Sequence, residues 1–325
     1  MTGWLDWFRC GWEGRASTCG CGRVRRAQVF GTVRHQGRSL GTATVALFVV
    51  LVLAACGGEG EDRADRTAAP ETTADSSAPR EVTARLSGRT LNGHCSGTEG
   101  SLPGVVLESG MASGQSQLGE IEEQLARRTV VCAFDRAGVG RSDPPTKTPR
   151  PVTDLVADLD AFAAAADVRA PYFLVGQSAG GNIVFMYAQA HPDKVAGFVS
   201  MNPVPPAETF IKAARKVETK SEFQEELAFN RGENDEAISF NEPVLSDPLP
   251  SSMPYAVMFD EDCEGDTEFC RRILPPLTRA TKALTQVGAS GRFVAAKGAG
   301  HDIFRTEPEL VLDTIEQILE ASNGA

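Results

Sequence analysis

Histidine and positive charge are both scarce in this chain. The few histidines limit the candidates for a catalytic base or metal ligand, and the shortage of positive charge limits the partners that the chain can bind. There are 4 histidines among 325 residues, and 32 lysines and arginines stand against 43 aspartates and glutamates, for a net charge of −11 at pH 7. Residues 1–55 contribute +5, which leaves −16 for residues 56–325. Such an excess of negative charge disfavours binding to nucleic acid and to anionic surfaces. We therefore expect no nucleic-acid partner.

The sequence also lacks the motifs that hold a nucleotide cofactor or a metal ion. The segment Asp135–Gly140 contains Gly-x-Gly but not the G-x-G-x-x-G fingerprint of a dinucleotide site. It is better explained as a tight turn, with Arg136 held by nearby acidic residues. The carboxylates of Asp154, Asp158 and Asp160 share a helical segment without a histidine at metal-ligand spacing. We expect neither a metal nor an organic cofactor.

The apolar run at residues 46–53 is too short to span a membrane as a helix, which needs about 20 apolar residues. A basic flank precedes it and small residues follow it, as in a secretory signal peptide. The sequence Leu53-Ala54-Ala55-Cys56 also resembles a bacterial lipobox, which implies a lipid on Cys56 after cleavage. An ordinary signal peptide with an incidental cysteine is the alternative.

These patterns predict a signal segment at 1–55, a disordered tether at 56–80 and a folded domain at 81–325. We expect an exported protein of the cell envelope, anchored by the lipid on Cys56 to the outer face of the membrane. Residues 1–32 hold three tryptophans and three cysteines ahead of the basic flank. This composition is unusual for a leader and suggests that translation starts downstream, at Val29 or Val33.

Strand and helix patterns alternate along residues 81–325. Apolar runs predict strands near 82–86, 90–95, 104–109, 129–134, 171–176, 195–201, 255–260 and 292–296. Helical periodicity predicts helices near 117–127, 153–166, 179–190, 267–287 and 307–320. Such alternation predicts one α/β domain, in which a mostly parallel sheet has helices on both faces. Residues 203–253 interrupt it and predict a small helical lid, or else a surface excursion unrelated to substrate.

The segment Gly176-Gln177-Ser178-Ala179-Gly180 follows an apolar strand and precedes a helical pattern. A strand, G-x-S-x-G and a helix form the context of a nucleophile elbow, in which a sharp turn exposes the serine hydroxyl. Ser178 is therefore the candidate nucleophile.

A serine nucleophile needs a base within hydrogen-bond reach. His35 lies in the leader, His94 lies in the N-terminal strands, and His191 is followed by a proline that ends its helix. His301 comes after the last predicted strand, in Gly298-Ala299-Gly300-His301. A glycine-rich loop there lies at the edge of the sheet where α/β folds bind ligands, so His301 is the candidate base. A surface loop histidine is the alternative.

Together these motifs resemble the α/β-hydrolase superfamily over residues 82–321. The segment from Cys132 to Ser142 is similar to the Cys-x-Phe/Tyr-Asp-Arg-x-Gly-x-Gly-x-Ser pattern of its bacterial branch of exported and lipoprotein serine hydrolases. Many relatives have histidine at position 177 and His-Gly at 109–110, whereas this chain has Gln177 and Ser109-Gly110. Neither position belongs to the catalytic triad, so the departures bear on substrate preference.

The resemblance implies the remaining site residues. The oxyanion hole would use the backbone amides of Ala179 and Met111. The triad acid would follow the strand at 255–260. We choose Asp262 because it falls closest to the family's usual spacing after that strand, and Asp260 is the close rival. In some relatives the acid follows an earlier strand, near Asn202 here, which carries no charge.

Beyond Cys56 four cysteines remain, an even number that suggests disulfides in an exported domain. We predict Cys95–Cys132 between neighbouring strands and Cys263–Cys270 closing a local loop, with buried free thiols as the alternative. The expected function is hydrolysis of a carboxylic ester, or of an amide, by a monomer that acts on a small or medium substrate. The alternatives are an aminopeptidase of the proline-iminopeptidase kind and a non-catalytic binding lipoprotein with the same fold.

Overall fold

The computed structural model describes residues 79–205, 248–262 and 268–323, together with isolated positions between 206 and 247 that include Glu236 and 238–239. The predicted signal segment, Cys56 and residues 56–78 of the predicted tether lie outside the described residues. So do most of the predicted lid and the side chains of Cys263 and Cys270. Arg80, the last residue of the predicted tether, is instead the first residue of the first strand. Among the described residues, no helix has the length and apolar character needed to cross a membrane.

Ten strands and six helices alternate along the described part of the chain. The strands are β1 (Arg80–Leu86), β2 (Arg89–Ser96), β3 (Val105–Glu108), β4 (Val131–Phe134), β5 (Arg150–Pro151), β6 (Tyr172–Gln177), β7 (Val195–Met201), β8 (Ile238–Ser239), β9 (Tyr255–Phe259) and β10 (Gly291–Ala295). The helices are α1 (Gly119–Leu125), α2 (Val152–Ala165), α3 (Ala179–Ala190), α4 (Glu268–Leu284), α5 (Ile303–Thr306) and α6 (Pro308–Ser322).

Eight of these strands form one sheet in the order β1-β2-β4-β3-β6-β7-β9-β10. The pairs β1·β2 and β2·β4 are antiparallel, and the pairs from β4·β3 through to β9·β10 are parallel. Each predicted strand and each predicted helix corresponds to one of the observed elements. The prediction of an α/β fold with a mostly parallel sheet is confirmed.

The central strands β3, β4, β6, β7 and β9 are buried on both faces of the sheet because they are largely apolar. In β3 and β6, Val106 and Leu174 face one hydrophobic cluster, while Val105 and Phe173 face the other. Helices α2 and α3 cover the first face, and α1 and α6 cover the second. Strands buried on both faces read as continuous apolar runs, which explains why they were visible in the sequence.

The predicted disulfide between Cys95 and Cys132 is present, with the two residues directly opposite each other on β2 and β4. Both side chains are buried, at 4% and 0% exposure. The bond therefore joins the antiparallel part of the sheet to its parallel part. The predicted pair Cys263–Cys270 falls outside the described side chains.

The short strands β5 and β8 form a separate parallel pair, in which Arg150 lies opposite Ile238. Strand β8 belongs to the insertion at 203–253, so this pair attaches the insertion to the chain just before α2. A two-residue strand carries too little periodicity to be recognised in a sequence, and neither strand was predicted.

Candidate active site

Ser178 lies at the junction of β6 and α3, with φ 54° and ψ −118°. Positive φ is costly for a residue with a side chain, and the neighbouring glycines make the sharp turn possible. A Cβ added to Gly176 would overlap the carbonyl of Gly180, and one added to Gly180 would overlap the carbonyl of Glu108. The backbone of the elbow thus passes too close to itself and to β3 for larger residues. The N–H of Ser178 donates to the carbonyl of Met201 at 2.8 Å.

The loop after β3 approaches the elbow closely. Gly110 is buried, and a Cβ there would overlap the side-chain oxygen of Gln177. The N–H of Gly110 donates to Oε1 of Gln117 at 2.6 Å, and Nε2 of Gln117 donates to Oε1 of Gln177 at 3.3 Å. Nε2 of Gln177 in turn donates to the carbonyl of His301 at 3.5 Å. This chain of amide groups connects the loop after β3, the elbow and the loop that carries His301.

The buried guanidinium of Arg136 holds the same loop from the other side. Its Nη1 donates to the carbonyl of Ser109 at 2.6 Å, and its Nη2 donates to the carbonyl of Gly110 at 2.5 Å. Two acidic side chains also accept from it: Nη1 donates to Glu108 at 2.6 Å, while Nε and Nη2 donate to Glu236 at 2.9 and 2.6 Å. The prediction that nearby acidic residues hold Arg136 is confirmed, although Glu236 comes from the insertion, 100 residues along the chain.

Burial sets the protonation behaviour of this cluster. Arg136 and Glu108 are each 1% exposed. Burial opposes the charge of Arg136, but Glu236 and Glu108 raise its pKa above the usual range, so it stays protonated. Desolvation raises the pKa of Glu108 to about 7, and the partly opposing influence of Arg136 does not cancel it. Glu108 is therefore a buried carboxyl group that titrates near neutral pH.

His301 follows a loop with two glycines at positive φ, Gly298 and Gly300, both at 68°. Asn202 at the end of β7 donates from Nδ2 to the carbonyls of Gly300 and His301, at 3.0 and 3.1 Å. Burial lowers the pKa of His301 to about 4, so the imidazole is neutral at pH 7 and able to accept a proton.

The two acids considered at the end of β9 have different surroundings. Asp260 is 2% exposed, and its carboxylate accepts hydrogen bonds from the amides of Gly298 at 3.0 Å and Gly300 at 2.8 Å. Burial raises the pKa of Asp260, against the opposing effect of these amides. Asp262 is exposed, and its amide donates to Asp260 at 3.0 Å. Asp260 thus contacts the backbone that precedes His301.

Asn202 occupies the position where some relatives carry an acid, and its role differs. Its Oδ1 accepts the amide of Asp260 at 3.2 Å while its Nδ2 binds the histidine loop. Sequence reasoning missed this bridging role, as it missed Gln117 and Glu236, because amide and carboxylate side chains have no pattern of their own. Among the described residues, no cluster of His, Cys, Asp and Glu is arranged to hold a metal ion.

Comparison with known proteins agrees with this architecture. The family model described as alpha/beta hydrolase fold matches residues 103–302. A non-heme chloroperoxidase from Streptomyces lividans is 33% identical over 108 residues, which are 32% of this chain and 38% of the relative. An uncharacterized protein from Bacillus subtilis (strain 168) is 26% identical over 99 residues, 30% of this chain and 39% of that protein. The matches span less than two fifths of these curated relatives.

Solved structures share the fold at lower identity. A thermophilic esterase from Thermogutta terrifontis matches with a TM-score of 0.53 and 18% identity, over 76% of this chain and 99% of that one. The enol-lactonase from Burkholderia xenovorans LB400 matches with a TM-score of 0.52 and 19% identity, over 73% and 99%. With the family model covering residues 103–302, the sheet order and the elbow at Ser178, the chain belongs to the α/β-hydrolase fold family.

Proposed function

We propose that the protein is a serine hydrolase that cleaves a small carboxylic ester through an acyl-enzyme. The observation that carries this proposal is the backbone of Ser178, held at φ 54° between a buried strand and a helix. Strained backbone of this kind costs of the order of 1–3 kcal/mol and persists at sites where it serves function. The esterase and the enol-lactonase that share the fold are both named for chemistry at an acyl group, which is consistent with this reaction class.

In the proposed mechanism, Oγ of Ser178 attacks the acyl carbon while His301 accepts the hydroxyl proton. The amides of Met111 and Ala179 stabilise the negative charge on the acyl oxygen. The protonated His301 then gives its proton to the leaving alcohol as the C–O bond breaks. Water repeats the sequence on the acyl-enzyme, which releases the acid and restores Ser178. Every catalytic group in this proposed cycle belongs to the chain, and the cycle uses no cofactor.

For the third member of the triad we favour Asp260 and keep Asp262 as the alternative. Asp260 supports this role because it is buried and accepts the amide of Gly300, the residue directly before His301. An acid in that position orients the imidazole and stabilises its charged form. Asp262 is exposed, where water competes for its hydrogen bonds.

Replacing each acid by asparagine separates these assignments. We expect Asp260→Asn to lower kcat by about 10²–10⁴-fold, as expected when a base loses its orienting charge. Asp262→Asn should change kcat less than about threefold, because an exposed carboxylate contributes little. The reverse order of the two effects would assign the triad acid to Asp262.

The ester reading is better supported than the aminopeptidase alternative. An aminopeptidase needs a carboxylate available to bind the substrate amine. Among the described residues, the buried glutamates beside the loop after β3 are Glu108 and Glu236, and both bind Arg136 instead. We therefore expect p-nitrophenyl esters of short acids to be turned over faster than aminoacyl anilides.

The decisive experiment treats the full chain with a fluorophosphonate probe and locates the adduct by mass spectrometry, beside a Ser178→Ala variant. Labelling at Ser178 that the variant abolishes is the expected result. A folded protein that neither labels nor hydrolyses esters would instead be the non-catalytic binding protein.

We also propose that the protein is exported and anchored through a lipid on Cys56, on the strength of the lipobox-like sequence before it. Cells fed a clickable palmitate analogue should label the wild-type protein but not Cys56→Ser. Equal labelling of both would overturn the anchor.

A further inference from the structure

In the loop after β3, two side chains hold three consecutive peptide units, those that join residues 109 to 112. Arg136 binds the carbonyls of Ser109 and Gly110, and Glu236 accepts the amide of Ala112. Glu236 also receives two hydrogen bonds from Arg136, so both side chains act on the loop as one unit. Met111, whose amide is the proposed oxyanion donor, lies between these contacts.

The contacts determine where the amide of Met111 points. In a trans peptide the C=O and N–H groups point in opposite directions. The carbonyl of Gly110 points at Arg136, so the N–H of Met111, in the same peptide unit, points away from Arg136. The amide of Ala112 points at Glu236, which sets the next peptide unit in the same way.

The loop needs this support because its backbone is strained. Ala112 has φ 52°, in the left-handed region that costs an L-residue roughly 1–2 kcal/mol. The hydrogen bonds to Glu236 and Arg136 oppose that cost. Without them the Met111 peptide could rotate, and its N–H would lose the orientation that catalysis requires.

Glu236 also supplies charge. Arg136 and Glu236 are 1% and 7% exposed, and the guanidinium meets this carboxylate through two parallel N–H···O bonds. Such two-point pairing combines energy with geometric specificity. If Glu236 were lost, Arg136 would depend on Glu108 alone, and Nε of Arg136 would lose its acceptor in a buried environment.

We propose that Glu236 is a positioning residue, contributed by the insertion, that orients the oxyanion donor at Met111 through Arg136 and Ala112. The inference rests on the proposed serine hydrolase function and adds to it a dependence on the insertion. Glu236 touches no reacting atom; it acts through the loop.

The test compares wild type, Glu236→Ala, Glu236→Asp and a control, Asp160→Ala, on an ester and on the matching thionoester. A thionoester puts sulfur, a weak hydrogen-bond acceptor, where the oxyanion forms, so the ratio of the two rates reports the oxyanion hole. Like Glu236, Asp160 forms an ion pair, here with Lys194 at 2.6 Å, and it also accepts a hydrogen bond from the hydroxyl of Tyr187, but it lies on α2, away from the loop after β3. Both alanine variants lose an ion pair, and only one changes the loop.

We expect Glu236→Ala to lower kcat for the ester by about tenfold or more while KM changes less than about threefold, and to reduce the ester-to-thionoester ratio. Glu236→Asp should recover part of the lost kcat and part of the ester-to-thionoester ratio. Asp160→Ala should leave kcat and the ratio near their wild-type values. If Glu236→Ala does not fold, Glu236→Gln, which keeps the size and one acceptor, must still reduce the ratio.

An unchanged ratio in an active Glu236 variant overturns the positioning role and leaves the proposed function standing. A wild-type protein that hydrolyses neither substrate and does not react with a fluorophosphonate overturns the proposed function, and this inference with it.

Discussion

Glu108 is a carboxyl group whose buried surroundings oppose its negative charge. It is buried beside Arg136, and its Oε2 has no hydrogen-bond partner among the described residues. Desolvation raises its pKa to about 7 from an ordinary value of 4.5. The folded protein therefore favours the protonated carboxyl, and the stability that this provides is complete below the unfolded pKa and lost as pH rises through about 7.

We expect Glu108→Gln to remove this pH dependence. The amide keeps the size of the side chain and cannot ionise, while Arg136 retains Glu236 as its charged partner. The wild type should lose about 3 kcal/mol in its free energy of unfolding from this group as the pH rises from about 5 to 9. Urea denaturation at several pH values in that range measures the free energy of unfolding of both proteins. If this free energy changed with pH in the same way in the wild type and in Glu108→Gln, the prediction would be contradicted.

A second residue-scale prediction concerns His301, whose pKa is lowered to about 4 by burial. As the proposed base, His301 must be neutral to accept the proton of Ser178, so a lowered pKa would extend activity to more acidic pH than an ordinary histidine allows. The same shift makes folding less favourable as pH falls from the ordinary value of 6.5 through about 4.

We therefore expect kcat/KM to show its acid limb well below pH 6.5, the ordinary histidine value. Rates measured beside thermal melts separate titration of His301 from unfolding. Repeating the profile with Glu108→Gln removes any inflection that the carboxyl contributes near neutral pH. An acid limb at or above pH 6.5 in that variant would contradict either the lowered pKa of His301 or its proposed role as the base.

At the scale of elements, the junction of β6 with α3 is limited by backbone contact rather than by side chains. A methyl group on Gly180 would meet the carbonyls of Glu108 and Ser109 at the end of β3, and backbone of a packed sheet does not yield easily. The elbow, β3 and the loop after it are therefore one packed unit.

Gly180→Ala should accordingly lower the free energy of unfolding by about 1–3 kcal/mol, the usual cost of overpacking, and should reduce labelling of Ser178. Gly119→Ala, at the start of α1, is the matched control, since nothing lies within 4 Å of its added methyl group. That variant should be neutral or slightly more stable, because alanine favours helix. Equal effects of the two changes on chemical denaturation would refute the steric argument.

At the scale of the whole molecule, the disulfide joins the two parts of the sheet. Cys95 and Cys132 are separated by 37 residues, so the bond closes a long loop between β2 and β4. A cross-link of that span stabilises a fold by about 3–4 kcal/mol, chiefly through the unfolded chain.

Replacing both cysteines by alanine should therefore lower the free energy of unfolding by about 3–4 kcal/mol under oxidising conditions. Under reducing conditions the wild type should fall close to the variant. A wild type that responds to reductant no differently from the double variant would mean that the bond is absent in solution.

Local patterns in the sequence determined the elements and several candidate residues. Ser178 and His301 stood out because a strand-bounded G-x-S-x-G and a glycine-rich loop are short-range signals. The strands were visible because buried parallel strands are apolar throughout. Each of these signals lies within a few residues of chain, so no knowledge of the fold was needed to recognise it.

Only the tertiary structure decided which distant polar groups meet. Glu236 reaches Arg136 across 100 residues, and Asn202 binds the loop before His301 across 98. The difference between buried Asp260 and exposed Asp262 likewise depends on how β9 lies beside β10. A polar side chain has no periodicity that marks its partner, so its contacts follow from the order of strands in the sheet, which no local pattern contains.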